Sequence, residues 1–333
     1  MRALARMGAV IASVGTLLVV AASAEGRFVA VATHPQAAAQ PTKTGRILAT
    51  LEPFGGKLYV GYGDYSWNTG PISITPWTGS AFGATEFVAD TEAIYTFRQI
   101  GGLLYVPSID PRGFSADYVV GSPWSSASPV GAAHAFDMAT LTGSDLWICG
   151  ASYNGNASVW RSLDGGASWA LSLTVPPLGA FQTGRFYGCA VYNGRLYVQA
   201  YSHPSGAHPT SKVFDGRSWS DGPDLAMGAS LSHARVFAGK LVFMTQFHPG
   251  ILAGAMRSFD GTTALNIGPT TVYDFAINAG TLYALGSDGW VRTTTDLVNW
   301  TAIGKVGRKA RSVAVFNGAV YVGGTDSKLY RGP

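Results

Sequence analysis

The chain has 333 residues, of which 13% are charged, and a formal net charge of +4. Ordinary soluble domains carry about a quarter charged residues. A charge this small, spread along the whole length, excludes the electrostatic footprint of a nucleic-acid-binding domain. With 43 glycines and 12% aromatic residues, the composition points to strands joined by tight turns.

The first 24 residues have the form of an export signal. Arg2 and Arg6 give a positive start, Met7 to Val20 an apolar run, and Ala22-Ser23-Ala24 a small-x-small cleavage site. The run is shorter than the roughly 20 apolar residues of a spanning helix, so the expectation is a secreted chain with no membrane contact after cleavage. Losing residues 1–24 takes Lys plus Arg from 23 to 21 against 19 acids, a mature charge near +2. Residues 25–44 are rich in Ala, Gln and Pro and read as a flexible leader before the domain at 45–333.

From there the chain repeats. Gly56-Lys57-Leu58-Tyr59-Val60 returns as Gly102-Leu103-Leu104-Tyr105-Val106, Gly194-Arg195-Leu196-Tyr197-Val198, Gly280-Thr281-Leu282-Tyr283 and Gly318-Ala319-Val320-Tyr321-Val322. Looser copies are Ser144-Asp145-Leu146-Trp147 and Gly239-Lys240-Leu241-Val242. The anchors at 59, 105, 147, 197, 242, 283 and 321 are spaced like propeller blades of about 40 to 50 residues. The fold class predicted is all-β: a seven-bladed β-propeller of four-stranded antiparallel blades.

Each copy has one grammar. A strand such as Val313-Ala314-Val315-Phe316 meets a turn signal, Asn317-Gly318. An alternating second strand comes after it, then a third that often ends in Asp-Gly, as at Asp215-Gly216 and Asp260-Gly261. The last copy stops after its third strand, Lys328 to Arg331, which leaves an open edge. Residues between Arg27 and Thr50 are expected to help close the ring. Cys149 and Cys189 admit either one disulfide or two buried thiols; a disulfide is the less expected outcome, because the residues fall in different blades.

Ser162-Leu163-Asp164-Gly165-Gly166-Ala167-Ser168-Trp169 resembles the Asp-box (BNR repeat), with Ser in place of Thr near its end. That motif is typical of sialidase-like and other carbohydrate-active propellers. Its physical role is in the turn: the Asp accepts backbone N–H bonds, Gly supplies positive φ and Trp packs between sheets. The turn joins third and fourth strands, on the face of the disc opposite the one where first strands begin.

In an antiparallel blade, the start of strand one and the end of strand two share a face of the disc. Taken copy by copy, that face collects four of the six histidines and many of the few charges. Tyr187, His134, His203 and His233 are the candidates for proton transfer. Arg112, Arg185, Arg235, Asp64, Tyr65, Asn68, Glu92, Asp110, Asp137 and His248 are the candidates for substrate binding. Each has a plainer role available: a strand-end His can be merely hydrogen-bonded, and an Arg near the channel can close it by pairing with Asp137 or Asp274. The segment Gly61 to Pro71 either lines a sugar site or caps the channel.

In export, blade count and the His/Tyr/Arg content of one face, the chain is similar to propeller-type polysaccharide lyases. The resemblance implies an acidic, uronate-containing glycan as partner. Arg or His would neutralise its carboxylate, and Tyr or His would take the C5 proton before β-elimination. The alternatives are a sialidase-like glycoside hydrolase using a carboxylate pair from Asp64, Glu92, Asp110 and Asp137, or a non-catalytic glycan-binding or scaffold propeller. No cofactor is expected: His203, His208, His233 and His248 lack tight ligand spacing, although a divalent metal is left open. The expected state is a monomer.

Overall fold

The computed structural model describes residues 26–109, 117–121, 123–180, 182–203, 205, 211–246 and 250–333. The expected signal peptide lies outside the described residues, as do Asp110, Arg112, His208 and His248.

Every anchor of the repeat sits on the second strand of an antiparallel hairpin. These strands are Lys57–Gly61, Leu103–Pro107, Leu146–Ser152, Arg195–His203, Lys240–Met244, Thr281–Gly286 and Ala319–Gly324. The units are numbered one to seven in this order. In six of them the hairpin turns through two residues of positive φ, as at Asn193-Gly194 and Asn317-Gly318. That backbone matches the twist of the flanking strands, which is why these turns favour Asn and Gly. Unit three turns otherwise: Asp145 accepts the N–H groups of Leu141 and Thr142 and the indole N–H of Trp147. This explains why its copy of the motif is the loosest.

Units two, three and seven are four-stranded antiparallel sheets. In unit four the first strand is split into Thr183–Phe186 and Ala190–Tyr192, both paired with Arg195–His203. Units five and six share one long strand, Ala264–Asn278. Its first part pairs with Gly254–Phe259 and its second with Thr281–Gly286. Unit one departs from the four-stranded expectation. Thr50–Phe54 pairs with Lys57–Gly61, while Ile72–Ile74 pairs with Phe87–Ala89 as a separate sheet. A single bridge, Leu58 to Trp77, joins the second strand to the segment after Ile74. The intervening loop holds itself, with Asp64 capping the one-turn helix Tyr65–Trp67 through Ser66 N–H.

Packing between neighbouring units is aromatic and aliphatic. Trp147 of unit three lies 5.0 Å from Phe214 of unit four and 6.2 Å from Trp219, and Arg161 covers the Trp147 ring at 4.6 Å. The architecture is an all-β propeller, with helix among the described residues confined to Pro35–Ala38 and Tyr65–Trp67.

Two expectations need correction. The start of the segment read as a flexible leader is built into sheets, and it supplies the ring closure expected of residues from Arg27 onward. Val29–Thr33 pairs antiparallel with Lys328–Arg331 as the outer strand of unit seven. Gly26 and Arg27 add parallel to Gly304 and Lys305 of unit six. The unpaired edge left by the short last copy supplies the reason. The ring also closes through Ser312 Oγ–H, which donates to Leu48 O at 2.7 Å.

The cysteines, second, form a disulfide. Cys149 and Cys189 are bonded, with Cα atoms 5.8 Å apart. Sheets that stand apart at the rim converge where first and second strands approach the axis. There Asp137, paired across its hairpin with Cys149, accepts the N–H of Cys189 at 2.9 Å.

Thiol titration of unfolded, unreduced protein should find no free thiol, and Cys149→Ser with Cys189→Ser should cost on the order of 4 kcal/mol for a loop of this length. Equal stability of the double variant would show that the disulfide adds nothing to the fold. A chain begun at His34 should melt several degrees lower than one begun at Glu25 and aggregate through the uncovered Lys328–Arg331 edge. An unchanged midpoint would show that the edge needs no partner.

Candidate functional site

The repeat register places one residue of each first strand opposite its anchor. These are Glu52, Arg98, Ala139, Ala190, Arg235, Ala276 and Ala314. Four alanines leave space around the axis, and the three charged residues enter it. Arg98 of unit two donates to both oxygens of Asp137 in unit three, at 2.5 and 2.6 Å. Its Nη1 reaches Ala234 O of unit five at 3.3 Å. One side chain thus spans the channel and blocks it.

Two residues before that ring stands a second belt, which ties each unit to the next. Asp137 takes Cys189 N–H; Asp274 takes Val313 N–H at 2.9 Å; Ser312 donates to Leu48 O. His233 holds the equivalent place in unit five, with Nε2 2.9 Å from Phe275 O and 3.3 Å from Asp274 Oδ1. Its backbone has φ of +50°, and burial, reinforced by the Arg98 charge, lowers its pKa to about 4. His233 is therefore a neutral structural group, not the proton carrier expected. Asp137 is likewise spent on Arg98 and on two backbone N–H groups. It is not available to a substrate.

On one side of the Arg98 bar the channel widens into a cavity of about 410 Å³. Its mouth includes Pro53, Gln99, Val236 and Asn278, beside the turns between first and second strands. Glu52 projects into it, accepting from Gln99 Nε2 at 2.6 Å and standing 3.9 Å from Arg235 Nη2. Burial raises Glu52 to about 7, against the pull of the Gln99 hydrogen bond and the Arg98 charge. Asp274, deeper, is also pushed well up by burial. Arg235 belongs to this end, with His233, rather than to the face that strand direction assigned it.

The opposite end carries the other candidates. Arg185 and Tyr201 face each other across the unit-four hairpin, and His203 stands two residues beyond Tyr201. Arg185 Nη1 donates to Tyr187 Oη at 3.2 Å, and its guanidinium lies 5.8 Å from the Phe136 ring. His134 stacks on Phe136, which meets Tyr187 at 4.5 Å, and Tyr187 meets Tyr201 edge-on at 5.9 Å. Arg185 is only 8% exposed. Its Nε is buried without a hydrogen-bond partner, and among the described residues no carboxylate pairs with it. Burial holds the Tyr187 and Tyr201 phenols above their usual range. His203 is lowered by burial and then by the Arg185 and His134 charges, so it is neutral near pH 7.

The first-unit loop borders this cluster. Tyr65 packs edge-on to Tyr95 at 6.3 Å, and its phenol acts electrostatically on Tyr187 and Tyr201. Asp64 is buried and occupied, accepting from Thr42 Oγ at 2.8 Å and from Ser66 N–H. With its amide turned so that the nitrogen faces the carboxylate, Asn68 donates to both Glu92 oxygens, at 2.7 and 3.0 Å. Asp64, Asn68 and Glu92 hold the loop in place.

Of the candidates within the described residues, then, Arg185, Tyr187, His134, His203 and Tyr65 come together, and His233 and Arg235 do not join them. Sequence reasoning missed Glu52 and Gln99 as cavity residues. Glu52 had a usable signal: it is the acid that the repeat sets opposite Tyr59. The Ser162–Trp169 turn is held internally, with Asp164 accepting from Ser162 Oγ, Ser168 N and Ser168 Oγ.

No family model matches the chain, and no curated protein matches it in sequence. Solved structures do resemble it. Selenomethionine-substituted virginiamycin B lyase from Staphylococcus aureus aligns with TM-score 0.58 at 9% identity, over 88% of this chain and 96% of that one. The Pan2 WD40 domain of Neurospora crassa aligns at 0.56 and 9%, over 92% and 95%. YCF48 bound to a D1 peptide aligns at 0.54 and 12%, over 92% and 96%. At these identities the likeness concerns the fold, a β-propeller.

Glu52 makes stability depend on pH. Below its ordinary value of 4.5 the folded and unfolded chains both carry the proton. Between 4.5 and about 7 the unfolded chain releases it first, so stability falls as pH rises. The full loss, about 3 kcal/mol, persists above pH 7. Glu52→Gln removes that dependence, so its stability relative to the parent should climb from pH 5 to about pH 7 and level off just above it in denaturant titrations. A constant difference would mean that Glu52 ionises normally.

Proposed function

We propose that the chain, once exported, acts on an acidic, uronate-containing glycan at the Arg185 end of the channel, as a polysaccharide lyase. The observation that carries this reading is a buried guanidinium with no carboxylate paired to it among the described residues. An unpaired buried charge is costly, and a ligand carboxylate accepting from the outer nitrogens of the guanidinium would offset it. The neighbouring groups suit β-elimination. Neutral His203 takes the C5 proton, the C5–H electron pair forms the C4–C5 double bond, and the C4–O bond breaks. Tyr187, whose oxygen already accepts from Arg185, keeps its proton at neutral pH and delivers it to the leaving oxygen. A lyase among the proteins of similar fold is in keeping with such chemistry on this scaffold.

Hydrolysis by a carboxylate pair is less favoured, because Asp64, Glu92 and Asp137 are occupied inside the protein. Binding without turnover is the second reading, favoured by Tyr187 being only 3% exposed.

The mature protein should be incubated with polygalacturonate, alginate and heparin while unsaturated-uronate absorbance and reducing ends are both recorded. Both should rise for at least one polymer. Arg185→Ala should lower that rate on the order of a hundredfold, and Tyr187→Phe should lower turnover while leaving binding intact. Reducing ends rising alone would replace elimination by hydrolysis. Uronate binding without either signal would establish the second reading, and full activity of Arg185→Ala would move the site elsewhere.

A further inference from the structure

The cavity at the Glu52 end is separated from Arg185 by the Arg98 bar, and the proposed elimination makes no use of it. Its volume, about 410 Å³, is within the roughly 300–1,000 Å³ typical of small-molecule sites. It is also chemically built. Glu52 Oε1 is held by Gln99 Nε2, whose nitrogen also donates to Pro53 O at 2.8 Å. That fixes the carboxyl and leaves Oε2 directed at Arg235. Arg235 Nη1 is held in turn by Ala234 O at 3.1 Å, which leaves Nη2 directed at Glu52. The two ends face each other across 3.9 Å, too far for a hydrogen bond. One acceptor and one donor are thus fixed side by side and not satisfied by each other.

We propose that this cavity is a binding site for a neutral polyhydroxylated ligand, a single sugar ring. A hydroxyl both donates and accepts, so one sugar hydroxyl donates to Glu52 Oε2 while it, or its neighbour on the ring, accepts from Arg235 Nη2. Val236, Ile277 and Val315 line the same cavity and give the apolar side of the ring a surface. The charges set the ligand class. An anion attracted by Arg235 meets the Glu52 carboxyl 3.9 Å away, and a cation attracted by Glu52 meets Arg235 with Arg98 behind it. A neutral ligand with paired donors and acceptors meets neither conflict. The site does not depend on the lyase reading, since none of its residues takes part in the Arg185 cluster.

The test uses the whole mature protein with D-glucose, D-galactose, D-mannose, and D-glucuronate as the charged comparison. Saturation-transfer NMR and calorimetry give the affinity. At least one neutral hexose should bind, more tightly than glucuronate. Arg235→Met and Glu52→Gln should each weaken it about tenfold or more, and Arg185→Ala should leave it unchanged. Val236→Trp, made from a position 53% exposed at the mouth, should block binding and keeps the test readable if a polar variant fails to fold. No binding by any neutral hexose overturns the proposal, as does tighter binding of glucuronate. So does hexose binding that survives the channel variants or is lost with Arg185→Ala.

Discussion

The pairing of Arg98 with Asp137 is the contact on which the interior depends. It joins three units at once: the guanidinium comes from unit two, the carboxylate from unit three and the third acceptor, Ala234 O, from unit five. A buried ion pair offsets its desolvation only when its geometry is good and its remaining valences are filled. Both conditions hold, because Asp137 also takes the N–H groups of Met138 and Cys189. Removing one partner of such a pair costs about 3–5 kcal/mol. Here it would also open the channel and loosen the first strand of unit four, where the disulfide and Arg185 both lie.

Because that bar lies across the axis, the channel has two ends of different character. On one side two carboxyls and one guanidinium share a cavity without closing on each other. On the other a guanidinium is enclosed by tyrosines, histidines and Phe136. The shifts have this origin. Glu52 and Asp274 rise because burial opposes their charge, and His203 and His233 fall because burial and nearby arginines oppose theirs.

The repeat made the fold legible. An aromatic or Val recurring one hairpin turn after an inner strand requires a series of like hairpins, and the Asn-Gly and Gly-Gly turns set their register. The same register grouped Arg185, Tyr187, His134 and His203 at strand ends of one face, and in the structure these four side chains lie near one another. It failed for His233 and Arg235. Each first strand crosses the full depth of the disc, and two residues along it carry a side chain from one end of the channel to the other side of the bar. It did anticipate that residues from Arg27 onward would close the open edge of the last copy, but not that Val29–Thr33 would do so as a strand, because that segment has no core pattern of its own. It failed also for the cysteines, since convergence of neighbouring sheets near the axis is not encoded in the spacing of 40 residues between them.

The sequence by itself thus determined the hairpin repeat, the all-β class and the kinds of residue gathered near the axis, because these rest on local periodicity and turn chemistry. Only the tertiary structure decided which charges neutralise one another. Arg98 and Arg185 are alike in sequence, each on the first strand of its unit. One meets Asp137 across a unit boundary and becomes part of the frame. The other meets aromatic rings and a phenol and keeps an unsatisfied charge, because which side chains approach the axis together depends on how the units are arranged around it.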